Sequence, residues 1–532
     1  MSPAAQDVAK SAFALQDARF GLRDGNLPLA MTAAQTVVAL NPDEIEAWYI
    51  LGTAATSLGD FVAAEQAFGE GARRAMPNTA TKAQMLVLQA TPLMALGCPA
   101  QAVEAVRAAV KIGITDATGQ VMAAVALTHA GLPQEALPLL QTATQISPRH
   151  VDAWSNLGGV RQFAGDIEGA EAAYESAIKL FGKSFHTAHH ALARLRRWTP
   201  ENNHIARLEA LQCSNEQEAC GVGFALFKEY DDIGDTVAAW DALQHGAMLA
   251  RSMTPWSSDD ETALVAAWKA HLPPERFTVT DTRPRSGPKR IFVIGLPRSG
   301  TTLVERVLAA HSQVQAIGEV KTFGLVIRRL LELPTHASLD AETIAAAMTL
   351  DPLAIAEAYT SENAYLSDGS AYTIDKLPNN HEYAGLIRLA FPDAIIIGLD
   401  RNPMDSLFGA YKLLFTGAHG WSYTQDDLAD HYAHFRDLMG YWKQVMGEGL
   451  IEVSLEDLIA VPDTQIRKLM AATGLPFEEA CLRPHEAMGA VTTASAGQVR
   501  KPINAEGIGA WKRYATQLEP LRQRLSDMGY LT

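Results

Sequence analysis

Five glycines in the N-terminal part of the chain, Gly25, Gly59, Gly97, Gly131 and Gly165, are separated by 34, 38, 34 and 34 residues. Each is followed five positions later by an alanine: Ala30, Ala64, Ala102, Ala136 and Ala170. No other feature restricts the fold as strongly. A unit of about 34 residues cannot bury its own apolar face, so such units must stack on one another. The glycine belongs in the turn between two helices, where a residue without Cβ takes conformations closed to the rest. The alanine lets the second helix approach its neighbour closely. EAWYILGTAATSLGDFVAAEQAF and DAWSNLGGVRQFAGDIEGAEAAY repeat further positions, namely Trp48/Trp154, Leu51/Leu157, Gly52/Gly158 and Phe68/Tyr174. A weaker copy, DDIGDTVAAWDAL, carries Gly234 and Ala239 about two periods further on. Residues 1–253 are therefore expected to form a solenoid of helix pairs. Such an array offers a concave face to a peptide, a protein or a second copy, or only packs against the C-terminal domain.

With 532 residues the chain is too long for one core, and about 150 residues per domain gives two to four units. Its 48% hydrophobic and 20% charged residues describe a globular protein. A net charge of -16 argues against a nucleic-acid binder while leaving room for a local basic pocket. The apolar runs fall short of the roughly 20 residues needed to span a membrane. MSPAAQDVAKSAF lacks the basic start and apolar core of a signal peptide. Four scattered cysteines (Cys98, Cys213, Cys220, Cys481) form no C-x-x-C pair, which suits a reducing compartment, and a cytoplasmic location is expected. His189 and His190 are adjacent and diverge on a helix, so no metal site is expected. Residues 254–288, rich in Pro, Arg and Ser towards their end, read as a linker holding one short helix.

From Lys289 the periodicity changes. RIFVIGL and AIIIGLD are Ile- and Val-rich runs, each followed by a turn and a helix, as buried parallel strands are. QVQAI and LIEVSL are weaker strands, and together they predict an open α/β sheet whose ligands sit at the strands' carboxyl ends. GLPRSGTTL falls there. It is almost a nucleotide-hydrolase phosphate loop, yet Thr301 occupies the place of the lysine, and Arg298 lies inside the loop. Backbone N–H groups and the helix end would cradle an anion. An Arg fork with neutral Thr301 and Thr302 suits a group needing fewer countercharges than a triphosphate. Sulfuryl transfer without magnesium fits, since the migrating SO₃ unit carries less charge than a phosphoryl group. In AIIIGLDRNPMDSLFGAYK a second strand ends at Asp400–Arg401, with Pro403 in the first turn of the next helix.

These segments resemble known families. The 34-residue pattern is similar to the tetratricopeptide repeat. PRSGTTL resembles the 5′-phosphosulfate loop of sulfotransferases that use 3′-phosphoadenosine 5′-phosphosulfate (PAPS). That resemblance implies that Arg298, Ser299, Gly300, Thr301 and Thr302 hold the 5′ end of the donor, with no metal required. It also implies a 3′-phosphate site at Arg401. The family's serine eight residues later is here Gly409, and Ser406, one turn earlier, or a water would stand in. TTASAGQVRKPINAEGIGAWKRY is similar to the S-x-x-Q-V-x-K-P…W segment of protein-tyrosine sulfotransferases and bacterial repeat-containing sulfotransferases. The matching residues are Ser495, Gln498, Val499, Lys501, Pro502 and Trp511, with Arg500 and Lys501 closing over the phosphates. QVQAIGEVKTFG resembles the segment of the catalytic glutamate, which makes Glu319 the expected base. YTIDKLPNN places Lys376 at the lysine that stabilises the leaving oxygen, a charge Arg298 shares. His381 and His311 are rival bases, because other sulfotransferase branches use histidine. Leu455, where an aromatic is usual, and Ala510, where a polar residue often precedes the tryptophan, join Gly409 as departures on the nucleotide side.

The resemblance thus implies an α + α/β chain: a tetratricopeptide-repeat solenoid over 1–253, a linker over 254–288, and a P-loop-like sulfotransferase domain with a parallel sheet over 289–532. It implies an active, PAPS-dependent enzyme with a looser nucleotide grip. The acceptor is a peptide tyrosine, a saccharide or a small hydroxy compound, with the repeats recruiting a substrate, a partner or a second copy. The competing readings are a repeat scaffold with a vestigial nucleotide domain, and a nucleotide-dependent kinase with an altered loop.

Overall fold

A computed structural model describes residues 3–181, 186–278, 281–334, 339–415, 417, 419–486, 499 and 501–531. The N-terminal part is a succession of antiparallel helix pairs, starting with Pro3–Arg23 and Leu27–Leu40, then Ile45–Leu58 and Phe61–Arg74. The repeating residues have the expected causes. Gly25, Gly59, Gly97, Gly131, Gly165 and Gly234 all sit in inter-helix turns with φ of 70 to 89°, a region where Cβ is penalised. The alanines five positions on, Ala239 included, are all 0% exposed, so each second helix is in close contact there. A Cβ on Gly52 would lie 2.6 Å from the Phe68 ring, and one on Gly158 2.7 Å from the Tyr174 ring. Those two glycine–aromatic pairs therefore recur for one steric reason.

The chain forms two compact units: Met1–Asn156 with Arg328–Ala337 and Ser361–Tyr365, and Leu157–Ile327 with Ser338–Thr360 and Leu366–Thr532. Within the first, short segments from far along the chain satisfy helix ends of the repeats. Arg329 pairs with Glu362 and donates to the Gly97 carbonyl at 3.4 Å. The Tyr365 hydroxyl donates to the Ala130 carbonyl at 2.8 Å, and Glu362 accepts from the Ala100 N–H at 3.3 Å.

The second unit contains a five-stranded parallel sheet. Its strands are β1 (Lys289–Ile294), β2 (Val314–Gly318), β3 (Tyr372–Asp375), β4 (Ile395–Asp400) and β5 (Leu450–Ser454), in the order β2-β3-β1-β4-β5. β1 is central, and Ile291, Phe292, Val293 and Ile294 are 0% exposed because both faces are covered. Ile291 and Val293 pack with Val304, Val307, Leu458 and Ile466 on one side. Phe292 meets Phe323, Tyr359 and Phe391 on the other, with ring centroids 5.8–6.4 Å apart. The chain leaves β1 towards β2 on one side and later returns to β4 on the other. The carboxyl ends of β1 and β4 therefore flank the point where strand order reverses, the usual ligand crevice of such sheets.

Also in this unit, the segment read as a linker contributes the helix Ser258–His271. The Ser257 hydroxyl caps it and Asp259, Asp260 and Glu261 fill its first turn, complementing the positive end of the helix dipole. Trp268 on that helix is fully buried, 6.0 Å from the Trp442 ring. The helices Glu216–Ile233 and Thr236–Met253 share a core with Met404, Phe408 and Tyr411 through Phe227, Trp240 and Leu243. No helix among the described residues is long and apolar enough to cross a membrane.

Candidate active site

The turn 295–300 carries β1 into the helix Thr301–Ala309. Gly300 is the N-cap at φ 100°, and Arg298 is one of only four non-glycine residues with positive φ among the described residues, at 69°. That conformation costs a residue with Cβ about 1–2 kcal/mol. Two contacts hold it. The Arg298 carbonyl accepts a hydrogen bond from Nη1 of Arg401 at 2.6 Å. Ser299 is enclosed, and its hydroxyl donates to the Leu296 carbonyl at 2.7 Å. Leu455 roofs the turn: a Cβ on Gly300 would lie 2.6 Å from Leu455 Cδ1. Gly300→Ala should therefore destabilise the fold by about 2 kcal/mol or more, combining backbone strain with displacement of Leu455. Denaturant unfolding checks this, and adding Leu455→Ala should recover part of the loss.

At the end of β4, Asn402 caps the helix Pro403–Tyr411 and Pro403 opens it. Arg401 also donates through Nη2 to the Gly507 carbonyl. Asp405 accepts from the Gly509 N–H at 2.8 Å. One guanidinium thus ties β4, the phosphate loop and the C-terminal segment together. Burial holds Arg401 below the usual arginine range, and burial followed by the Arg401 charge brings Arg298 down to about 10. Both remain cationic at neutral pH.

A pocket opens here, lined by Arg298, Gly300, Thr302, Arg401 and Lys501 from the expected set. Gly409, Leu455 and Ala510 line it too, so the three departures are neighbours in space. A Cβ on Gly409 would lie 3.0 Å from Arg298 Cβ, so the Arg298 stem crowds the place a serine would take. Ser406, the expected stand-in, lies three positions earlier on the same helix. It is 1% exposed, its hydroxyl makes no hydrogen bond among the described residues, and it lies outside the pocket lining. Ser299 and Thr301 are also buried and outside the lining. Lys501 pairs with Glu506 at 3.1 Å. Ser495, Gln498 and Arg500 lie outside the described residues.

Glu319 and Lys376 meet at a second point, because β2 and β3 are neighbours and the residues following them lie side by side. Lys376 donates its backbone N–H to the Gly318 carbonyl at 3.0 Å and its ammonium to Glu319. The side chain of Lys376 is 0% exposed, while that of Glu319 is 36% exposed, so the carboxylate reaches solvent and the lysine supports it from within. Glu305, from the helix after the phosphate loop, approaches Lys376 at 3.7 Å from the other side. This third partner was missed in the sequence; only its place one turn after Thr301 hinted at it. Burial raises the Glu305 carboxyl, and Lys376 opposes that shift. Neither Glu319 nor Lys376 lines this pocket. The rival histidines are enclosed: His311 contacts the Pro476 carbonyl at 2.9 Å, and His381 the Pro378 carbonyl at 3.1 Å. Burial pushes His381 down to about 4.

Behind Lys376, Asp375 is buried, accepts from the Tyr359 hydroxyl at 2.9 Å, and is pushed up to about 7 by burial. Its folded form keeps a proton that the unfolded chain releases near pH 4. The stability this group contributes is present below pH 4 and is lost as pH rises to 7. Thermal unfolding of Asp375→Asn should accordingly lack part of the decline that the wild type shows across that window.

Residues 288–479 match the model of the sulfotransferase family, and residues 22–79 and 127–195 match tetratricopeptide-repeat models. This is a tetratricopeptide-repeat protein with a sulfotransferase-family domain. An uncharacterized protein of Aquifex aeolicus is 28% identical over 407 residues, covering 74% of this chain and 52% of the relative. Protein-tyrosine sulfotransferases are similar over the sulfotransferase domain. The Drosophila melanogaster one is 25% identical over 42% of this chain and 46% of its own length, and protein-tyrosine sulfotransferase 1 of Danio rerio is 25% identical over 42% and 65%. The chain thus spans about half to two thirds of the length of these relatives. A solved sulfotransferase domain from the curacin biosynthetic pathway is 16% identical over 47% of this chain and all of its own, with a TM-score of 0.31. Among the described residues no group of three or more His, Cys, Asp or Glu side chains could hold a metal ion.

Proposed function

We propose that the domain transfers a sulfuryl group from PAPS to a hydroxyl acceptor. One observation carries the reading: Arg298 and Arg401, from the ends of β1 and β4, converge with Lys501 on a single pocket around a phosphate loop that has no lysine. Two arginine forks suit oxyanions that are to be held rather than hydrolysed. Arg298, Ser299, Gly300, Thr301 and Thr302 would hold the 5′-phosphosulfate, the buried Ser299 and Thr301 through the loop backbone. Arg401 would face the 3′-phosphate, with Ser495, Arg500 and Lys501 closing over it.

In the reaction, the bond from sulfur to the 5′-phosphate oxygen breaks as the acceptor oxygen bonds to sulfur. Glu319 takes the acceptor's proton, and Lys376 and Arg298 meet the charge left on the phosphate oxygen. The Lys376 contact keeps Glu319 oriented, while Glu305 holds Lys376 between two carboxylates. No step needs a metal. The segmentation into repeats (1–253), connector (254–288) and catalytic domain (289–532) belongs to this proposal, as do a cytoplasmic location and recruitment by the repeats, with self-association as one mode.

Calorimetry with adenosine 3′,5′-bisphosphate and with ATP plus Mg²⁺ tests the reading. Tight binding of the bisphosphate alone is expected; binding of neither favours a scaffold with a vestigial domain, and magnesium-dependent ATP binding a kinase. Similarity to protein-tyrosine sulfotransferases makes a peptide tyrosine the first acceptor to try, beside saccharides and small hydroxy compounds. Transfer of labelled sulfate from PAPS into fractionated host extract identifies the acceptor.

A further inference from the structure

We infer that Lys412 is an anion-binding residue of this pocket, placed to take the phosphate monoester that a serine at position 409 would otherwise have held. The inference rests on the donor reading above and names a residue that no sequence pattern assigns.

Lys412 directly follows the helix Pro403–Tyr411 and lines the pocket beside Arg298 and Arg401. It lies three positions after Gly409, so both belong to one helix face. Position 409, a glycine, supplies no hydroxyl, and the Arg298 stem crowds it, with an added Cβ 3.0 Å from Arg298 Cβ. The Lys412 ammonium lies over the face of the Phe408 ring, 5.0 Å from its centroid. Asp231 is the acid facing it, and that carboxylate is engaged by Arg513 at 2.9 Å and by the Tyr514 hydroxyl at 2.7 Å. Each of the two acids of the pocket has a partner: Asp405 Oδ2 accepts from the Gly509 N–H, while its buried Oδ1 accepts no hydrogen bond among the described residues, and Glu506 pairs with Lys501. An ammonium enclosed beside two guanidiniums, with an aromatic face as its neighbour, is unfavourable until an anion enters. Its titration agrees with that picture: burial, then the Arg298 charge, bring Lys412 down to about 8, with Asp231 opposing and Arg401 and Arg513 adding to the shift. A doubly charged phosphate monoester would offset these penalties.

The test uses the full chain and isothermal calorimetry at pH 7, with adenosine 3′,5′-bisphosphate and adenosine 5′-monophosphate as probes. Lys412→Met keeps the length and apolar stem, and Lys412→Arg keeps the charge; thermal unfolding of each shows that it folds. Lys412→Met should weaken bisphosphate binding by about 30-fold or more, the size of one lost charge-assisted hydrogen bond. It should change monophosphate binding less than about threefold, and Lys412→Arg should restore most of the bisphosphate affinity. Wild-type affinity for the bisphosphate should also fall about tenfold from pH 7 to 9, because the ligand must then reprotonate Lys412. Arginine at position 412 removes this titration, so the profile of Lys412→Arg should be flat. Bisphosphate binding unchanged by Lys412→Met overturns the inference alone, and equal weakening of both nucleotides overturns the 3′ assignment. A wild type that binds neither nucleotide removes the donor reading and this one with it.

Discussion

Arg298→Ala should lower affinity for adenosine 3′,5′-bisphosphate by about a thousandfold while leaving the protein folded. Arg298 is the cation inside the phosphate loop and lines the pocket together with Arg401. Losing its fork removes two charge-assisted hydrogen bonds, each contributing about 1.5–3 kcal/mol. The backbone is not relieved by this change, since alanine at φ 69° carries the same Cβ penalty as arginine. The lost stem leaves room beside Gly409, which gives the prediction a second readout. Gly409→Ser should be destabilising in the wild type, where its Cβ would meet Arg298 Cβ at 3.0 Å and Cγ at 3.4 Å, and only partly relieved in Arg298→Ala, which removes Cγ but keeps Cβ. Calorimetry and a double-mutant unfolding cycle measure the two effects. Near-normal nucleotide affinity in Arg298→Ala would remove the loop from the donor site.

Glu319→Ala should keep bisphosphate affinity within about threefold and lower kcat by about a thousandfold, within the range for loss of a general base. The separation follows from placement: Glu319 reaches solvent beside Lys376 and does not line the anion pocket. Removing the carboxylate also leaves the enclosed Lys376 with Glu305 alone, so some loss of stability should accompany it. Glu319→Gln keeps a hydrogen-bond acceptor for Lys376 and separates the two effects. It should be more stable than Glu319→Ala and equally inactive. Full turnover in either variant, measured by sulfate transfer to the identified acceptor, would take the base role from Glu319.

Much of the architecture was legible because its signals are local and repeated. The glycines of the repeats announce left-handed turns and the alanines announce close helix contacts; neither depends on what lies across the fold. The phosphate loop was legible for the same reason, since strand, turn and helix are contiguous. β3 was harder. Tyr372–Asp375 has only four residues, and its strand character comes from lying between β1 and β2. The partners of the site were harder still. Glu305 gains its importance from Lys376, seventy-one positions on, and Leu455 from roofing Gly300, which stands far earlier in the chain.

From sequence alone came the helix-pair array, the parallel α/β domain, and the exchange of a lysine for an arginine and threonines in the phosphate loop. Each is written in short-range patterns of φ, size and charge. Tertiary structure alone decided how the three departures combine. Gly409 is crowded by the Arg298 stem, Leu455 covers the loop, and Lys412 lines the pocket where a hydroxyl is missing. The physical reason is packing. Which atoms fill a volume, and which charges share it, depends on segments a hundred residues apart arriving at the ends of adjacent strands.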